Sequence, residues 1–81
     1  MFSSPGCGFC DKARNFFERK QVSFSEYDLE RDGQRAQQKL MKLAQAAGVD
    51  PRTLSGVPII FVGKHVVRGF DRRRLSQLLG I

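Results

Sequence analysis

Apolar and polar residues change their spacing several times along this chain, and each change marks an element. "MFSS" at the start reads as the tail of a strand, followed by the turn residues Pro5 and Gly6. Phe9, Ala13, Phe16 and Phe17 then recur at helical spacing, while Lys12, Arg14, Asn15, Glu18 and Arg19 fall on the other side. "VSFSEYDLE", residues 22–30, alternates instead. Val22, Phe24 and Glu26 share one face and Ser23, Ser25 and Tyr27 the other, which predicts a strand. Helical spacing returns from Asp32 to Ala47, where Ala36, Leu40, Leu43, Ala44 and Ala47 form an apolar stripe and Gly48 is placed to end it.

"GVDPRTLSGV", residues 48–57, reads as a loop. "PIIFV", residues 58–62, is the near-continuous apolar run expected of a strand covered on both faces. Gly63 and Lys64 suit a two-residue hairpin turn, "HVV" returns beside the strand, and Asp71 can cap a last helix carrying Leu75, Leu78 and Leu79. The order β-α-β-α-β-β-α predicts an α/β fold, a sheet with helices packed on it. No repeat or linker divides residues 1–81, so a single domain is expected.

Composition narrows the class. With 41% hydrophobic residues and seven Phe, the 81-residue chain is a folded globule, although one this short has a thin core. No stretch approaches the roughly 20 apolar residues of a membrane span, and "MFSSPG" lacks the basic start and apolar run of a secretory signal. A cytoplasmic protein is therefore expected, on the reading that Met1 is a biological start and the domain is not a docking piece of a larger redox protein. The formal charge is +6, from 14 Lys and Arg against 8 Asp and Glu, and it is densest at Arg72–Arg74. Such a balance favours acidic partners, while the run itself reads first as the solvated face of a helix. Nucleic acid is not expected, because there is no aromatic–basic platform, zinc-finger spacing or helix-turn-helix.

The chemistry lies in "PGCGFC", which holds both cysteines, Cys7 and Cys10, where the first strand passes into the first helix. A disulfide between them closes a loop too short to constrain the unfolded chain, so stability is not its purpose. A thiolate that attacks disulfides needs a depressed pKa and exposure, and a helix N-terminus supplies both. With two residues between, Cys10 sits one turn further in, able to attack a mixed disulfide formed on Cys7. Lys12 adds a positive charge nearby and Asp11 opposes ionisation of Cys10, so Cys7 is the nucleophile and Cys10 the resolving thiol. A tetrahedral metal site needs four ligands, and the chain offers Cys7, Cys10 and His65, the last on an edge strand. No metal site is expected from these.

"SSPGCGFC", "GVPIIFVG" and the closing "RGFD" together resemble the glutaredoxins, a family with the thioredoxin fold, over nearly the whole chain. The resemblance implies a mixed four-stranded sheet with helices packed on it and a thiol-disulfide oxidoreductase. Its substrates would be protein disulfides or glutathione mixed disulfides, with glutathione as cosubstrate. It implies a cis peptide bond before Pro58, presenting the Val57 backbone to a substrate peptide or glutathione; an ordinary trans proline is the other reading. Ser4, Gly8, Phe9, Val57, Pro58, Gly69, Phe70 and Asp71 map onto the substrate and glutathione site, and Asp71 stays open between helix cap and ligand contact. The chain departs from the family pattern in having Ser4 where many members carry a lysine and Arg68 at the first position of a Gly-Gly turn. "GF" in the late turn is similar to redoxins reduced by thioredoxin reductase, so either that enzyme or the glutathione reductase system could supply electrons. "CGFC" also resembles the CGFS motif of glutaredoxins that bridge a [2Fe-2S] cluster between two subunits, where Cys7 would be the ligand. A monomer is expected, or a dimer if a cluster is bridged.

Overall fold

The computed structural model describes residues Met1–Ile81. Eight elements follow the expected order, one of them a short turn: β1 (Phe2–Ser3), α1 (Gly8–Arg19), β2 (Tyr27–Asp28), α2 (Gly33–Ala47), a 3-10 turn (Pro51–Thr53), β3 (Ile59–Val62), β4 (His65–Arg68) and α3 (Arg72–Leu79). The four strands form one mixed sheet in the order β2-β1-β3-β4, with β1 parallel to β2 and antiparallel to β3. β3 and β4 make the expected hairpin around Gly63, whose φ of 60° is the left-handed backbone that the tight turn requires.

Two apolar clusters cover the faces of the sheet. On one side Ala13, Phe16 and Phe17 of α1 meet Ile60, Val67 and Leu75 of α3; on the other Leu40 and Ala44 of α2 meet Phe2, Leu54 and Ile59. Neighbouring residues of β3 thus serve opposite layers, which is why "PIIFV" carries no polar residue. The α2 stripe lies as its spacing predicts, with Ala36, Leu40 and Ala44 buried. Gly48 ends that helix at φ 71°, donating its N–H to Ala44 and Gln45 carbonyls.

Two expectations are corrected. The strand predicted over 22–30 shrinks to Tyr27–Asp28. Its ladder partner β1 is short: Met1 N donates to the Ser25 carbonyl, Tyr27 N to Met1 and Leu29 N to Ser3, and upstream of Ser25 no strand lies alongside. The alternation survives the missing ladder, since Val22 and Phe24 still pack on the α1 side. Beyond Met1 the sheet is left with a hollow of about 510 Å³, lined by Val22, Phe24, Leu43, Phe61 and Val62 among others. Phe9, placed by its spacing in the α1 stripe, is instead 58% exposed. It sits in the first helical turn, beyond the reach of the layer packing, and Cys10 takes the buried position.

Candidate functional site

Strand register brings three separated segments into one row. Phe2 pairs with Ile59 and Ile59 with Arg68, so the residues just past β1, just before β3 and just past β4 emerge at the same end of the sheet. These are Ser4 with the cysteine turn, Val57–Pro58, and Gly69–Phe70. The Gly69 N–H donates to the Pro58 carbonyl at 2.8 Å, locking the second and third together. The Val57–Pro58 peptide is cis, as the resemblance implied. Pro58 is buried and Val57 half-buried, and neither Val57's N–H nor its C=O takes part in a hydrogen bond within the chain. That leaves one donor and one acceptor on the Val57 backbone without a partner in the chain.

Cys7 is the N-cap of α1. Its Sγ accepts a hydrogen bond from the Cys10 N–H at 3.1 Å, and its carbonyl accepts the first helical bond from Asp11 N. The two cysteines are joined as a disulfide, with their Cα atoms 5.2 Å apart. Their environments differ: Cys7 is half-buried at the lip of the turn, whereas Cys10 is 1% exposed beneath the helix. Cys7 thus sits at the positive end of α1 with the more accessible of the two sulfurs. Gly8 is exposed at the first helical position, and Lys12 Nζ lies 5.1 Å above the Phe9 ring.

A network that sequence reasoning missed fixes this helix. Glu26 accepts from Arg14 Nε at 2.8 Å, from an Arg14 terminal nitrogen at 2.6 Å and from Ser3 Oγ at 2.7 Å, while Arg14 also donates to Asp11 at 2.7 Å. β1, the segment before β2 and the first turns of α1 are thereby clamped beside Cys10. The fork of Arg14, assisted by Ser3, holds the Glu26 carboxyl at a pKa of about 2, and the same pairing raises Arg14. The one available signal was a carboxylate at position 26 in register with Val22 and Phe24, on the face that turns inward.

Asp71 serves as the N-cap of α3, accepting from Arg74 N at 3.0 Å, and Phe70 stands edge-on to Phe16 with ring centres 5.8 Å apart. The Arg68 guanidinium donates to the Thr53 carbonyl at 3.3 Å, on the loop that leads into Val57–Pro58. His65 is exposed on the edge strand β4. No three His, Cys, Asp or Glu side chains converge. A [2Fe-2S] cluster takes four such ligands, so Cys7 could supply one and the rest would have to come from a second copy and from free thiols.

Comparison with known proteins agrees with this arrangement. The chain is similar, at 22% identity over 79 residues, to an "Uncharacterized glutaredoxin-like 8.6 kDa protein in rubredoxin operon" from Clostridium pasteurianum, across 98% of this chain and 93% of that one. The family model described as Glutaredoxin matches residues 1–67, from β1 into the hairpin strand β4. With a redox-type cysteine pair at the head of α1 on a mixed four-stranded sheet, the chain belongs to the glutaredoxin family and has its thioredoxin-like fold.

Proposed function

We propose that this protein reduces protein disulfides and glutathione mixed disulfides, with Cys7 as the attacking thiolate and Cys10 as the resolving thiol. The observation that carries the reading is the contrast at the head of α1, where the accessible Cys7 sulfur accepts a backbone N–H and Cys10 is buried one turn behind it. Cys7 thiolate attacks one sulfur of the substrate disulfide, the other sulfur leaves as a thiolate, and a mixed disulfide remains on Cys7. Cys10, losing its proton, then attacks Cys7 Sγ, expels the second substrate thiol and closes the Cys7–Cys10 disulfide. Two glutathione molecules, or a protein reductase, return the two electrons. For a glutathione mixed disulfide the second step can instead use free glutathione, and Cys10 is dispensable.

In this reading the backbone of Val57 pairs with the extended substrate or glutathione, and the turn Gly69–Phe70 with the head of α3 accepts a carboxylate through N–H groups that Asp71 does not cap. The protein would act as a monomer in a reducing compartment such as the cytoplasm. One observation favours a second electron source. Ser4 offers no cation, which leaves glutathione one charged contact fewer and favours reduction by thioredoxin reductase.

Turnover of a mixed disulfide between glutathione and a small thiol, coupled to glutathione reductase, tests the proposal. Wild type and Cys10→Ser should both turn over and Cys7→Ser should be inactive. Wild-type turnover with insulin and thioredoxin reductase but none with glutathione would assign the second source. Equal activity of Cys7→Ser and wild type would defeat the enzymatic reading.

A further inference from the structure

Between α1 and the turn into α3 runs a groove of about 230 Å³ that begins at Lys12, in the helix that Cys7 caps. Phe16 and Phe70 line it, and Lys12, Asn15, Arg19, Lys20 and Arg72 complete its walls. Positions 12, 15, 16 and 19 share one face of a helix, so the cations form a stripe and not a scatter. No carboxylate lines the groove, and none of its four cations is in an ion pair; the salt bridges of this chain use Arg14, Arg31 and Arg52. Among the acids close in sequence, Asp11 is paired with Arg14 and Asp71 with the amide of Arg74, and Glu18, next to Arg19, does not line the groove. A positively lined groove with an aromatic floor is thus left uncompensated within reach of the redox turn. At its near end, Lys12 stands over the exposed ring of Phe9, two residues from Cys7.

We propose that this groove docks an acidic segment of the protein whose disulfide Cys7 attacks, a proposal that rests on the redox reading given above. The length fits. Lys12 and Arg19 are about 10 Å apart along the helix at about 1.5 Å per residue, which spans about three residues of an extended peptide. Two or three carboxylates spaced over such a segment, flanking the substrate cysteine, would meet Lys12, Arg72 and the Arg19–Lys20 end in turn. The groove therefore selects protein substrates by charge, while a small disulfide that never reaches it is indifferent.

The test separates docking from chemistry. Binding of a fluorescent peptide, Asp and Glu beside a serine in place of the substrate cysteine, is followed by anisotropy on the oxidised protein, together with a neutral peptide of equal length and a single-stranded oligonucleotide of equal charge. Wild type should bind the acidic peptide at least tenfold more tightly than the neutral one at low salt, with the difference shrinking as salt screens the charges. Arg19→Glu with Lys20→Glu should abolish the preference while leaving turnover of the small glutathione mixed disulfide unchanged. Equal binding of acidic and neutral peptides, retention of the preference in the double variant, or equal binding of the oligonucleotide would overturn the docking site. Peptide preference without turnover of any disulfide would leave the groove standing and remove the oxidoreductase reading.

Discussion

Replacing Glu26 by Gln removes the charge on which the clamp at the head of α1 converges, and the expected cost can be worked from the structure. Glu26 is drawn from an ordinary pKa of 4.5 to about 2, first by its hydrogen bonds from Arg14, then by that from Ser3. Taken at face value, a depression of that size corresponds by linkage to about 3 kcal/mol of stability. The pair is not sealed from water, with Glu26 keeping 24% and Arg14 33% of their side-chain surface exposed, so screening brings the expected contribution to about 1–2 kcal/mol. Because the folded-state pKa is depressed, this stability is fully present above pH 4.5 and lost as pH falls towards 2. Urea unfolding of wild type and Glu26→Gln, both with the disulfide intact, should therefore differ by about 1–2 kcal/mol at pH 7 and converge near pH 2. A gap equally wide at both pH values would show that packing, not charge, makes position 26 important. No gap at pH 7 would refute the clamp itself.

Two further predictions concern the ends of elements. Asp71→Ala should destabilise the protein by about 1 kcal/mol by removing the cap on Arg74 N, and Asp71→Asn should restore most of it, as thermal unfolding of the three proteins would show. A Val-Ile pair added ahead of Met1 should lengthen β1 into the apolar hollow, where strand alternation turns the N–H and C=O of Phe61 to the β1 side without a partner. Burial of two such side chains, less the cost of ordering them, leaves about 1 kcal/mol, or about 4–8 °C in melting temperature for a domain this small. The same extension should slow hydrogen exchange at Phe61 and Ser25, and a Gly-Ser pair should do neither.

What the sequence made legible was what neighbouring residues decide. The cysteine spacing before a helical pattern, Gly48 at the end of α2, Asp71 at the head of α3 and the Gly63 turn are each set within a few residues, and each lies where its pattern predicts. Features that depend on a distant partner were less legible. The strand over 22–30 fails because pairing needs β1 alongside it, and β1 offers rungs only as far as Met1. Phe9 fits the helical spacing of Phe16 and Phe17 yet lies beyond the layer that buries them. Arg14 looks like a solvated charge, and Glu26, in register with Val22 and Phe24, like an inward carboxylate without a partner, until the fold sets them 2.6 Å apart. The direction of Arg68 was equally a question of which loop passes beside it, and the answer is the one holding Thr53.

On the proposed function Cys7, and not Cys10, is the sulfur that meets substrate. The most direct measurement is mass spectrometry of the reduced Cys10→Ser and Cys7→Ser variants after brief exposure to glutathione disulfide. Rapid capture of one glutathione on Cys7 is expected in the first variant and almost none on the buried Cys10 in the second. Capture at Cys10 as fast as at Cys7 would contradict it.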